Sequence, residues 1–400
     1  MKTKLISNNG YLNSKKLKQH LEIVRVLSKS DRSLTISEIS DAIQISLPTT
    51  KNLVSQLIKQ DWAVNLGKKQ TTSGRKPEVF DLNYDRFFTI GVLVTLKRIS
   101  LIICDINLNI IHEDFLDGFN LENSQSSLDT LLQFISSNLS KKQLSNHQIL
   151  GIGVGITGRV NHKKGESYNY FNFMELPLKN YLEKELGVHV EIDNDTRILG
   201  IAENETGTSK NLSNALVVNM DLGLGMSMLL NGEIITGQNG FAGEFGHMKF
   251  GSKGRLCLCG NRNCLGTEVS GSALVLDLQD ALSEGEKSMA YPCPNKNYTY
   301  KDIINAAIGG DLLSIELIQK QGESLGEALG NIINLLNPNK IIIAGEICKA
   351  DSIFSDPVKI GIKKTVLKDF VENETVQLST MKKNIAIGAA CLILKIHDLL

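Results

Sequence analysis

The chain has 400 residues, 42% of them apolar and 22% charged. That fits two or three packed globular units and excludes a wholly disordered, collagen-like or disulfide-scaffold protein. Net charge is zero but uneven: residues 1–80 carry 14 Lys and Arg against 6 Asp and Glu, a net of +8, which leaves −8 for the remainder.

A basic segment of this kind points to nucleic acid; a basic solvated surface is the alternative. No apolar run is long enough to span a bilayer, and the polar start, Met1 to Gly10, lacks the apolar stretch of a signal peptide, so a cytoplasmic protein is expected. Lys15 to Ser28 reads as a helix with Leu17, Leu21, Val24 and Leu27 on one stripe. Thr35-Ile36-Ser37-Glu38 is a capping-box pattern that opens a second helix. Ser46 is the expected N-cap of a third, which runs to about Gln60 and buries Leu53, Val54, Leu57 and Ile58. Its other side carries Thr49, Thr50, Lys51, Asn52 and Ser55. Trp62–Val64 and Glu78–Phe80 read as strands flanking a loop with Lys68, Lys69, Arg75 and Lys76. Three short helices and a hairpin form the winged helix-turn-helix order. Thr49, Lys51 and Asn52 are the expected base readers, and Arg75 and Lys76 the wing contacts to phosphate or minor groove.

Beyond Asp85 the texture becomes α/β. Strands are expected at Phe88–Val94, Ile99–Asp105, Ile110–Phe115, Ile149–Ile156, Val188–Ile192, Ala215–Met220, Met226–Leu230 and Lys340–Ala344. Helices are expected at Ser127–Leu139, Arg197–Glu205, in pieces over Tyr300–Leu336, and at Ala386–Leu399.

Three constellations carry chemistry. Seven cysteines include a tight group, Cys257, Cys259 and Cys264, which with His247 makes a closed Cys₃His set suited to structural zinc. Gly240-Phe-Ala-Gly243-Glu244-Phe-Gly246-His247 places Glu244 three residues before that histidine, so a metal fixing His247 also fixes Glu244. Asp193-Asn194-Asp195 ends a buried strand, the usual ligand position in an α/β sheet; helix capping is the equal alternative.

Taken together and in order, these motifs resemble the ROK family of repressors and sugar kinases, in its regulator branch. Gly74-Arg75-Lys76-Pro77 matches the Gly-Arg-x-Pro that ends the wing in that branch. The resemblance implies a winged helix-turn-helix over 1–82 and, over 83–400, a two-lobed actin/hexokinase-like (ribonuclease H-like) α/β domain with a zinc-binding loop. Lobe one would span about 83–196 with 385–400, and lobe two 197–384. It implies sugar contacts at Gly158, Arg159, Asn194, Asp195, Glu244 and His247, with Asp195 at the position of the kinases' base, and zinc ligands at His247, Cys257, Cys259 and Cys264. The family's Leu-Glu after the last cysteine is Leu265-Gly266 here, so that sugar contact is lost or supplied by Glu268.

Larger departures fall on the nucleotide side. The kinases' Asp-x-Gly-Gly-Thr has become Leu93-Val-Thr95-Leu96-Lys97, the last glycine of Gly-x-Gly-x-Gly is Ser227, and Gly-Gly-Gly is Ala344-Gly345-Glu346. Branched side chains occlude the amides that cradle phosphate. The expected protein is therefore a sugar-responsive transcriptional regulator without catalysis, a repressor of carbohydrate-utilisation genes released by a sugar or sugar phosphate. It would bind operator DNA as a homodimer or homotetramer. The alternatives are an ATP-dependent sugar kinase with an appended DNA-binding domain and an oligomeric scaffold binding neither ligand.

Overall fold

The computed structural model describes residues 14–30, 32–68, 77–146, 148–210, 212–293, 296–368, 376–381, 384–397 and 399. They divide into two compact units, residues 1–193 with 384–400, and residues 194–383.

The first unit begins with three helices, α1 (Ser14–Ser28), α2 (Ile36–Ile43) and α3 (Leu47–Lys59), and three strands, β1 (Leu34–Thr35), β2 (Ala63–Lys68) and β3 (Glu78–Leu82). Helix α2 starts where the sequence places it. Thr35 N–H donates to Glu38 Oε2 at 2.7 Å, and Glu38 N–H to Thr35 Oγ1 at 3.3 Å. Arg32, then the Thr35 N–H, hold the Glu38 carboxyl down at about 2. The helix stops at Gln44, which adopts the left-handed conformation with φ 54°. Pro48 in the first turn of α3 gives up an N–H that has no helical partner there. Ile23, Val24, Leu27, Ile39, Leu53, Val54, Leu57 and Phe80 are buried. The sheet has three strands in the order β1-β3-β2, not the two of a simple hairpin: Leu34 and Thr35 pair antiparallel with Phe80 and Val79. Trp62 stacks 4.0 Å from Phe87, where the chain enters the next sheet.

That sheet comprises β4 (Phe88–Val94), β5 (Arg98–Asp105), β6 (Ile110–Asp117), β7 (Ile149–Ile156) and β10 (Val190–Asn194), in the order β10-β7-β4-β5-β6. Between β7 and β10 lie the short pair β8 (Val160–Asn161) and β9 (Glu166–Ser167), and α5 (Leu178–Leu186). Every residue of β4 and β7 is buried, as befits central strands covered on both faces. Helix α4 (Gln125–Lys141) and α5 supply Leu128, Leu131, Ile135, Leu178 and Leu182 to one core. The closing helix α11 (Ile387–Ile396) lies against bare backbone: a Cβ on Gly91 would stand 1.9 Å from the Ala386 carbonyl oxygen, and one on Gly153 2.0 Å from that of Ala389.

The second unit repeats the plan. Its sheet is β13-β12-β11-β14-β15, built from β11 (Ala215–Met220), β12 (Leu224–Leu230), β13 (Glu233–Ile234), β14 (Lys340–Ala344) and β15 (Val376–Leu378). In both sheets three antiparallel strands come first in sequence, and two later strands add beside the first of them. This is the duplicated order of the actin/hexokinase-like class. Helix α6 (Asp195–Thr206) backs β12, while α7 (Gly271–Ser283), α8 (Tyr300–Ile308), α9 (Leu312–Leu336) and α10 (Ser352–Thr365) enclose a second core around Phe245, Tyr300, Leu325 and Phe354. No helix among the described residues is long and apolar enough to cross a membrane.

Packing this close makes a prediction. Gly153→Ala should lower the urea midpoint strongly, at a cost of about 3 kcal/mol or more, because the new methyl meets backbone that cannot rotate away. Gly223→Ala, with open space around it, should stay within about 0.5 kcal/mol of the parent. Equal midpoints for the two variants would contradict this packing.

Candidate functional site

Helix α3 buries Thr50, Leu53, Val54 and Leu57 and turns Thr49, Lys51, Asn52 and Ser55 to the outside. Thr50, expected on the open face, instead donates from Oγ1 to the Ser46 carbonyl at 3.1 Å and is fully buried. The Thr49 hydroxyl is bonded to Ser46 Oγ at 2.9 Å. Gln56, which the spacing of apolar residues gave no reason to single out, donates from Nε2 to Asn52 Oδ1 at 3.1 Å. Lys59 extends the open face at its C-terminal end. Arg75 and Lys76 lie outside the described residues.

In the second unit the chain leaves β10 through Asn194, the N-cap of α6. Its Oδ1 accepts from the N–H of Thr196 at 3.0 Å and of Arg197 at 3.1 Å. Asp195 is pinned through Oδ1 by the Thr196 N–H at 2.7 Å and by Asn194 Nδ2 at 3.0 Å. Capping and presentation of a carboxylate are thus one arrangement: the helix N-terminus orients Asp195 and favours its charge. Two residues on, buried Arg197 donates from Nη1 to the Gly240 carbonyl at 2.6 Å. That bond ties α6 to the start of the glycine turn.

The turn owes its shape to its glycines. Gly243 has φ +87°, and a Cβ there would meet the Met226 carbonyl oxygen at 2.2 Å; one on Gly246 would meet that of Leu224 at 2.2 Å. Both therefore seat directly on β12, with Phe245 buried between them. His247 then faces two ways. Its Nδ1 lies 3.5 Å from Cys257 Sγ, and its Nε2 3.7 Å from Glu244 Oε2.

One ligand atom from each of His247, Cys257, Cys259 and Cys264 falls within 4.8 Å of the others. Cys259 and Cys264 have sulfurs 3.6 Å apart, close to the roughly 3.7 Å expected for thiolates on one tetrahedral ion. Burial, with Cys259 and Cys257 beside it, pushes the Cys264 thiol up to about 12. The Asn261 N–H lowers that of Cys259. A dication at the centre would satisfy the whole donor set, so these four residues could hold a metal. The loop is also clamped at its base. Lys253 Nζ and Arg255 Nη2 reach Asp277 of α7 at 2.5 and 2.8 Å, and Arg255 continues to Asp280 at 2.6 Å. Glu268 turns to this clamp: its Oε1 accepts from the Lys253 N–H at 3.1 Å.

Gly158 and Arg159 belong to the first unit. Gly158 has φ +93°, Arg159 N–H donates to Asn169 Oδ1 at 2.9 Å, and the Arg159 side chain is exposed. Leu93, in the same unit, is buried in β4 between Ser100 and Gly155. Thr95 closes the following turn, with its N–H and Oγ1 both on the Arg98 carbonyl at 2.9 and 3.0 Å. In the second unit Ser227 is buried and stands where a Cβ on Gly200 would meet its Oγ at 2.2 Å. Gly345 rests on the Met220 carbonyl, and Glu346 pairs with Lys349 at 2.6 Å. Burial, then Glu346, raises the Asp221 carboxyl.

Residues 89–396 match the model of the ROK family, and residues 19–67 that of the IclR helix-turn-helix domain. The xylose repressor of Bacillus spizizenii is 25% identical over 385 residues, covering 95% of this chain and 96% of that protein. The DNA-binding transcriptional dual regulator NagC of Escherichia coli is 29% identical over 361 residues, covering 89% and 87%. A crystal structure of a ROK family transcriptional regulator, described as a homologue of the E. coli MLC protein, superposes with a TM-score of 0.80 at 24% identity, over 96% of this chain and 98% of that one. At that identity the likeness speaks to fold. With the family model running from β4 through α11, the chain belongs to the ROK family.

Proposed function

We propose that this protein is a sugar-responsive transcriptional repressor acting in the cytoplasm as a homodimer or homotetramer. Residues 1–82 bind operator DNA, and residues 83–400 bind a sugar or sugar phosphate that releases it. The observation that carries the reading is the open polar face of α3 in a chain whose kinase-type carboxylate position is filled by buried Leu93. The polar face suits the major groove. Leucine at that strand position removes the group that helps hold Mg²⁺ in the family's kinases. Phosphoryl transfer depends on positioning and electrostatics, so little catalysis remains without that ion. The relatives named as a xylose repressor and a DNA-binding transcriptional dual regulator support the same reading.

Asn194, Asp195, Glu244 and His247 supply donors and acceptors for several sugar hydroxyls; Gly158 and Arg159 are the further sugar-contact positions that the family resemblance implies. Zinc is the metal that suits His247, Cys257, Cys259 and Cys264, in a structural role that fixes His247 and through it Glu244. The effector acts by binding better to the arrangement incompatible with DNA.

Asp195→Asn should weaken the sugar's effect on operator binding while leaving affinity without sugar unchanged, and no sugar that shifts binding should support ATP turnover. Turnover at roughly 1–100 per second would establish the kinase reading instead. Arg75→Ala should weaken operator binding and lower its salt slope by about one; an unchanged slope removes the wing from the interface. Freshly purified protein should carry about one zinc per chain. Cys259→Ser should lose the metal together with the sugar response, and metal analysis finding no zinc in the parent would refute the assignment.

A further inference from the structure

Asn52 and Gln56 stand one helical turn apart on the outer side of α3, joined by the bond from Gln56 Nε2 to Asn52 Oδ1. Residues four apart share a helix face, so the linked amides form one unit. Two amides hold four N–H donors and two carbonyl acceptors, and the internal bond uses one N–H and one lone pair. Among the groups that this bond leaves unused are Asn52 Nδ2, a donor, and Gln56 Oε1, an acceptor. Exchanging oxygen and nitrogen in both amides reverses the internal bond and still leaves one donor and one acceptor, with the two roles exchanged between the residues.

Among the described residues around the pair on α3, Thr50 is buried and Lys51 has donors only, while Thr49 and Ser55 each offer a single hydroxyl, one atom that does not span two adjacent base groups. In the major groove adenine presents an acceptor, N7, beside a donor, the N6 amine. Guanine presents two acceptors, which suits a donor-only lysine instead. The internal bond already restrains both side chains, so docking costs less rotamer freedom than for two independent amides.

We infer, building on the DNA-binding reading above, that the Asn52–Gln56 pair reads one adenine in each operator half-site, Asn52 Nδ2 donating to N7 and Gln56 Oε1 accepting from the N6 amine. An amide pair that only staples the helix would change stability and leave base preference alone.

The test is selection from a random-sequence DNA library with the full-length, metal-loaded protein, run in parallel for the parent, Asn52→Ala, Gln56→Ala and Lys51→Ala. At one position per half-site the parent should favour adenine by about 5- to 150-fold. Asn52→Ala and Gln56→Ala should each lose that preference and keep the rest of the motif, while Lys51→Ala retains it. Replacing that adenine by 7-deazaadenine, which lacks only the N7 acceptor, should weaken the parent and leave Asn52→Ala unaffected. A parent motif whose adenine preference survives in both amide variants, or an insensitive parent with 7-deazaadenine, overturns the inference alone. A parent that enriches no sequence overturns the DNA-binding reading and this inference with it.

Discussion

The glycine turn and cysteine loop of the second unit depend on His247 being held from both sides. One ring nitrogen faces the cysteine cluster and the other faces Glu244. A histidine ring is planar, so fixing one nitrogen fixes the direction of the other. Everything around it serves that constraint. Gly243 and Gly246 let the turn sit on β12 without a Cβ between, Phe245 anchors it in the core, and Arg197 ties its start to the helix that presents Asp195. The Lys253–Asp277–Arg255 clamp holds the far end of the loop to α7. The Cys₃His cluster and the carboxylates are therefore one mechanical assembly, although 52 positions separate Asp195 from His247 in sequence.

Much of this was legible in the residues because the signals are local. The capping box at Thr35 and Glu38, the apolar runs of β4 and β7, and the cysteine spacing each lie within a few positions. What escaped reading was non-local or short. Strand β1 is two residues long and exists only because β3 passes beside it. Helices α5 and α10 carry weak local signals: α5 is short and mostly polar, and α10 has Pro357 in its interior. Thr50 shows the same limit in a single residue: its polarity placed it outside, but its hydroxyl is satisfied by the Ser46 carbonyl one turn back. The Asn52–Gln56 bond depends on side-chain conformation, which no periodicity encodes.

The two sheets share one strand order, yet they spend their glycines differently. In the first unit Gly91 and Gly153 admit a helix against the sheet. In the second, close packing moves to helix pairs: a Cβ on Gly326 would stand 2.1 Å from the Val358 carbonyl, and one on Gly361 2.1 Å from that of Glu323. Helix α9 thus meets α10 through backbone, the approach small residues make possible wherever two helices must come close. On β12 the contact falls instead between Ser227 and Gly200 of α6.

The helix that covers Gly91 and Gly153 has a temporal consequence. It belongs to the first unit but is encoded after the whole of the second, roughly 300 residues beyond β4. At ribosomal speeds of about 5–20 residues per second, β4 waits about 15 to 60 seconds for its cover and β7 about 12 to 46 seconds. The N-terminal helices, by contrast, have their own small core and can close soon after they emerge. On the proposed function, a nascent or prematurely terminated chain would thus carry a DNA-binding module with no finished sensor attached, and release of DNA by an effector would belong only to chains translated through α11.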